Sequence, residues 1–115
     1  MTVTIYHNPR CAKSRQTLAL LEAKGIVPRI VDYQKTPPSA AELKSILKAL
    51  GLKPRDLLRQ GEPLYAELGL KDRDLDDDAL IALMVANPIL IERPIVVSGN
   101  KAALGRPPES VLAII

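Results

Sequence analysis

With 115 residues, 47% of them apolar and 25% charged, the chain has the size and composition of one globular domain, residues 1–115, whose core is drawn from Leu, Ile, Val and Ala because Phe and Trp are absent. Its one Cys excludes an internal disulfide and, beside a single His, a Cys/His zinc cluster; a reducing compartment, the cytoplasm, is expected. The net charge of +3 is a mild excess, its basic residues are scattered without interleaved aromatics, and no apolar run reaches membrane-span length, so neither nucleic acid nor membrane is an expected partner. Charge and proline within the first ten residues give no expectation of a secretory signal.

Thr2–Tyr6 alternates with β-branched residues and predicts a strand. A turn, His7-Asn8-Pro9-Arg10, leads to Cys11 and then to a helix expected from about Ser14, with Leu18, Leu20 and Leu21 on its apolar face and Gly25 as its stop. Arg29–Tyr33 predicts a second strand, and strand, helix and strand in so short a span make a parallel βαβ unit. After Pro37-Pro38, Ser39 and Glu42 form a capping box ahead of Leu43, Ile46, Leu47 and Leu50, and Gly51 closes that helix. Pro54 opens a short helix that carries Leu57 and Leu58 and ends at Arg59, and a further stretch with Leu64, Tyr65 and Leu68 stops at Gly69. Asp76-Asp77-Asp78 reads as the acidic start of a helix over Leu80, Ile81, Leu83 and Met84, not as a metal site, since nothing nearby supplies further ligands. Pro94–Ser98 and Lys101–Leu104 flank Gly99-Asn100 as a β-hairpin, and Glu109–Ile115 is a short terminal helix. The pattern is an α/β sheet domain, βαβ then ββα, with a helical insertion over about residues 39–91.

Cys11 carries the chemistry. A free cysteine is commonly a small buried apolar residue, but this one lies at a strand-to-helix junction among Pro9, Arg10, Ala12 and Lys13. Helix N–H groups, the helix dipole and the charges of Arg10, Lys13 and Arg15 favour a thiolate and attract anions. His7 either exchanges the thiol proton or holds the loop. Arg59 at the end of a short helix, Arg93 before Pro94 and Arg106 between Gly105 and Pro107 are set at element boundaries, and a guanidinium fork suits a tetrahedral oxyanion.

The run Tyr6-His-Asn-Pro-Arg-Cys-Ala-Lys-Ser-Arg15 resembles the active-site loop of the glutaredoxin-coupled arsenate reductase family. Leu57-Leu-Arg59, Pro63–Leu70, Asn87–Val97 and Gly105-Arg-Pro107 extend the resemblance along nearly the whole chain in the same order. It implies a thioredoxin-like mixed four-stranded sheet with a helical insertion. It further implies Cys11 as the thiolate that attacks arsenic, and Arg59, Arg93 and Arg106 as the anion-binding trio. The same resemblance implies that His7 and Ser14 tune the cysteine loop, that Arg15 is its local positive charge, and that Pro94 is the cis-proline facing the cysteine. The chain departs from the family in having Ala12-Lys13 where Gly-Thr is usual, as in a less-characterised branch; alanine lacks the backbone freedom of glycine and lysine replaces a hydroxyl by a point charge, which lowers the expected efficiency with arsenate.

With no second cysteine to resolve an adduct, a diffusible thiol must do so. The resemblance implies glutathione as co-substrate, glutaredoxin as the protein that regenerates Cys11, and no bound cofactor. Phosphatase-like arsenate reductases need Cys-x5-Arg, and position 17 is Thr. Two other readings remain open: a glutathione-dependent thiol reductase for another substrate, and a non-enzymatic adaptor of the same fold.

Overall fold

The computed structural model describes residues 2–115. Two compact units are built from this chain. The first runs to Thr36 and resumes over Arg93–Ile115; the second is Pro37–Glu92.

The first unit is a mixed four-stranded sheet of order β2-β1-β3-β4. Strand β1 is Val3–His7, β2 is Arg29–Asp32, β3 is Ile95–Ser98 and β4 is Lys101–Leu104. β1 pairs parallel with β2, Ile5 opposite Ile30, and antiparallel with β3, Ile5 opposite Val96. Residues 3, 5 and 7 of β1 are buried while 4 and 6 are less so, the period-two burial of a pleated strand. Helix α1, Ala12–Ala23, and a 3-10 helix, Pro108–Ile114, cover the face that carries Val3, Ile5 and Val96. Leu21 and Val111 complete this core, with Leu18, Leu20, Ile26, Ala103 and Ile114 packed at its margin. Aliphatic side chains alone fill it, as a sequence without Phe or Trp requires.

The βαβ unit and the hairpin form where the sequence places them. Gly99 has φ 61° and, among the described residues, none other than glycine has positive φ, so the two-residue turn takes its left-handed angle at the first position only. That is the arrangement of a type II′ turn, which fits the right-handed twist of a hairpin.

The second unit is helical: α2, Ala40–Leu50; α3, Pro63–Glu67; and α4, Asp77–Ala86, with 3-10 turns at Pro54–Leu57 and Pro88–Leu90. The capping box forms: Ser39 Oγ accepts from the Glu42 N–H at 3.1 Å. Gly51 adopts φ 69° at the C-terminus of α2. Asp76 caps α4 by accepting from the Ala79 N–H at 2.8 Å, so the acidic run serves the helix start. α4 packs on α2 and on both 3-10 turns, burying Leu80, Ile81 and Met84 with Leu57 and Leu90. Leu58 and Ile91 make an isolated antiparallel bridge.

Boundaries shift in several places. His7, expected in the turn, is the last residue of β1, the first hairpin strand starts at Ile95 and not at Pro94, and the terminal helix expected over Glu109–Ile115 is the 3-10 helix Pro108–Ile114. α1 starts at Ala12, two residues before the expected Ser14, because Cys11 itself takes the extended N-cap conformation. The short helix after Lys53 ends at Leu57, so Arg59 lies beyond it on the bridged segment. β2 ends at Asp32, and Tyr33 is buried in the turn that follows.

Candidate active site

Strand β1 ends at His7, the chain turns through Asn8-Pro9-Arg10, and Cys11 starts α1. Three contacts fix this loop. The Cys11 N–H donates to the Asn8 carbonyl at 3.0 Å, the Arg10 N–H to the Asn8 side-chain oxygen at 3.0 Å, and the Arg15 guanidinium to the Pro9 carbonyl at 3.0 Å. Arg15 is therefore a clamp on the loop backbone.

Ser14 ties the loop to the strand. Its Oγ accepts from the Asn8 N–H at 3.0 Å and lies 2.6 Å from His7 Nδ1. With one lone pair of Ser14 Oγ already used, the network is satisfied when the hydroxyl donates to a neutral imidazole. His7 is held in that neutral state: burial is the largest influence and pushes its pKa down, the Arg15 charge adds to this, and Asp32 opposes it. Nδ1 is thus committed to Ser14, which makes His7 a strut under the cysteine loop. Ser14 was the expected helix start, but as the third helical residue its hydroxyl faces inward and is fully buried.

Cys11 is 8% exposed, more enclosed than its charged neighbours in the sequence suggest. Burial is the largest influence on its thiol and pushes the pKa up. The backbone N–H groups of Ser14 and Lys13 and the charges of Arg93 and Arg106 outweigh burial and bring it below the usual thiol value.

Arg93 and Arg106, thirteen positions apart, arrive from the two sides of the β3–β4 hairpin. Arg106 Nε donates to the Arg93 carbonyl at 2.9 Å, which locks the two segments together. The Arg93–Pro94 bond is cis, as the resemblance implies, and Arg106–Pro107 is a second cis bond, one that no feature of the sequence signals. Arg59 belongs to the helical unit. Its guanidinium pairs with Glu62 at 3.1 Å and donates to the Ile89 carbonyl at 3.3 Å.

In sequence Gly105 is only a neighbour of Arg106; in the fold its role is spatial. A Cβ there would stand 2.7 Å from Pro94 Cγ and inside the contact distance of Thr17 Oγ1. Gly105 also donates its N–H to the Pro94 carbonyl at 3.0 Å. It lets the β4 end, the Pro94 corner and α1 meet at Thr17. A glycine next to an arginine and a proline in sequence was the available signal. Ala12, by contrast, has no need of glycine: it is the first helical residue and its φ is negative.

The description "ArsC family" belongs to the family model that matches residues 6–114. The chain is 50% identical to an arsenate reductase of Haemophilus influenzae Rd, with all of both chains covered. It is 56% identical to the uncharacterised protein YfgD of Escherichia coli K12, covering 98% of this chain and 96% of the relative. A solved structure, an arsenate reductase from Vibrio cholerae, superposes with a TM-score of 0.96 at 55% identity, covering 100% of this chain and 98% of the other. The mixed sheet with its helices is the thioredoxin-like arrangement of these neighbours.

Proposed function

Because this chain belongs to the ArsC family, we propose that it is an oxidoreductase that reduces arsenate to arsenite through the Cys11 thiolate. One observation carries the reading: the N-terminus of α1, Arg93 and Arg106 bring positive potential to one cysteine whose thiol is thereby held below its usual pKa. A thiolate beside two guanidinium groups is suited both to bind an oxyanion and to attack its central atom.

The cycle needs two electrons. The Cys11 thiolate displaces water from arsenate, forming a sulfur–arsenic bond with arsenic still pentavalent. Glutathione then attacks, arsenic leaves as arsenite with the electron pair, and Cys11 is left as a mixed disulfide with glutathione. Glutaredoxin exchanges with that disulfide and returns the thiol. Overall, arsenate, one protein thiol and one glutathione give arsenite, one mixed disulfide and water. Arg93 and Arg106 hold the anion and offset the charge that develops on its oxygens. Arg59 enters as a third anion contact on the resemblance alone. His7, Ser14 and Arg15 keep the loop in register with the sulfur, and the cytoplasm is the proposed setting.

Purified protein assayed with arsenate, glutathione, glutaredoxin and NADPH-linked glutathione recycling tests this. Arsenate-dependent NADPH oxidation that is lost in Cys11→Ser is expected. Absence of arsenate-dependent turnover by the folded wild type overturns the arsenate assignment and moves the reading to a glutathione-dependent thiol reductase of the same site. Lys13, in place of a hydroxyl in the first turn of α1, is the feature that favours that second reading.

A further inference from the structure

A groove of about 550 Å³ runs beside α1 and is lined by Lys13, Gln16, Leu20, Pro107, Pro108 and Glu109. Every lining residue belongs to the sheet unit that contains Cys11. Two of its lining residues belong to segments that also carry the cysteine site: Lys13 is the second residue of α1, whose N-cap is Cys11, and Pro107 directly follows Arg106, whose charge acts on the Cys11 thiol. Lys13, Gln16 and Leu20 follow at helical spacing, so they form one continuous wall. The floor is apolar, from Leu20, Pro107 and Pro108, and the charges are mixed, a cation at Lys13 and an anion at Glu109. The volume is that of a small-molecule site.

A simple oxyanion does not need such a surface. An anion site gathers cations, whereas this groove offers one charge of each sign, an amide and an apolar floor. A zwitterionic peptide thiol matches it: a carboxylate for Lys13, an ammonium for Glu109, peptide groups for Gln16 and a short apolar backbone against the prolines. We infer that this groove seats the glutathionyl moiety that resolves Cys11, and that Lys13 and Glu109 set the preference for glutathione over uncharged thiols. This inference rests on the proposed glutathione-linked cycle but concerns only its thiol half. It gives Lys13, the departure from the Gly-Thr loop, a task in thiol recognition.

The test uses thiol–disulfide exchange without arsenate. The Cys11 thiolate attacks oxidised glutathione, a Cys11–glutathione disulfide forms, the original disulfide breaks and glutathione thiolate leaves. Adduct formation is followed by intact-protein mass spectrometry with oxidised glutathione and, separately, with the uncharged bis(2-hydroxyethyl) disulfide. Wild type should react faster with oxidised glutathione, and Glu109→Lys and Lys13→Glu should each lower the ratio of the two rates about three- to fivefold, the size of one exposed charge contact. Glu22→Lys, the same charge change on the exposed surface of α1, is the control and should keep the wild-type ratio. A ratio that stays at the wild-type value in both groove variants, or falls as far in the control, overturns the inference. So does a slowing confined to glutaredoxin-driven removal of the adduct, which would assign the groove to a protein partner. Because no arsenate is present, failure of the arsenate assay leaves this result standing, and failure here leaves the arsenate assay standing.

Discussion

Arg93 and Arg106 act on Cys11 through space, so their removal has a definite sign. Taking away a cation disfavours the thiolate, and Arg93→Gln and Arg106→Gln should each raise the Cys11 pKa, the first by more because Arg93 is the stronger of the two influences. Thiolate absorbance against pH reads this directly; titrations superimposable on wild type in both variants contradict the arrangement. His7 gives a second pH signature. Its pKa is lowered in the folded state, chiefly by burial, so the unfolded chain takes up its proton first as pH falls. The contribution of a neutral His7 to stability is therefore complete above the unfolded value of about 6.5 and is lost as pH drops from there toward the folded value. Urea unfolding at pH 8 and pH 5.5 should show a fall in midpoint that is smaller in His7→Gln. An equal fall in both proteins would place the acid sensitivity elsewhere.

At the scale of elements, the junction of α1, the Pro94 corner and the end of β4 is close-packed. Gly105→Ala inserts a Cβ against Pro94 and Thr17 and should destabilise by about 1–3 kcal/mol, the usual range for overpacking. Thr17→Ala removes two of the three crowding atoms, so the double variant should recover part of the loss, a non-additivity that denaturant unfolding of the four proteins measures. Strict additivity would mean that Thr17 is not the obstacle. In the helical unit, Ser39→Ala removes the side-chain half of the capping box at α2 and should cost about 1 kcal/mol, with Ser39→Asp retaining most of it. Thermal unfolding distinguishes these outcomes, and equal losses from both substitutions would deny the cap its role.

For the whole molecule, the net charge of +3 and the basic groups near Cys11 favour the approach of anions. Raising ionic strength from about 20 mM to about 500 mM shrinks the Debye length several-fold and should lower kcat/KM for an anionic substrate while kcat changes little. A salt-independent kcat/KM would show that steering is absent. No described helix is long and apolar enough to cross a membrane. The division into a sheet unit and a helical unit at Pro37 and Glu92 follows the chain closely. Strand-type residues stop at Tyr33, helical periodicity starts after the Ser39 cap, and Pro94 opens the hairpin.

What the sequence determined by itself was whatever rests on local periodicity and on residues with few conformational options. β-branched alternation marked β1, Ser39 with Glu42 marked α2, Gly99 marked the hairpin turn, and the order of strand, turn and helix placed Cys11 at the junction of β1 and α1. These signals span a few residues, and backbone sterics and hydrogen bonding suffice to read them. Tertiary structure decided the rest. Ser14 reads locally as the start of a helix, yet its hydroxyl is spent on Asn8 and His7, a contact that exists only once β1 and α1 are packed. Arg93 and Arg106 look like ordinary charged residues until the hairpin brings both to the start of α1. Gly105 matters for the space that Thr17 and Pro94 leave it, and Glu109 becomes a neighbour of Lys13 only when the last turn docks beside α1. Each of these is a juxtaposition of residues distant in sequence, and no local pattern encodes a distance across the fold.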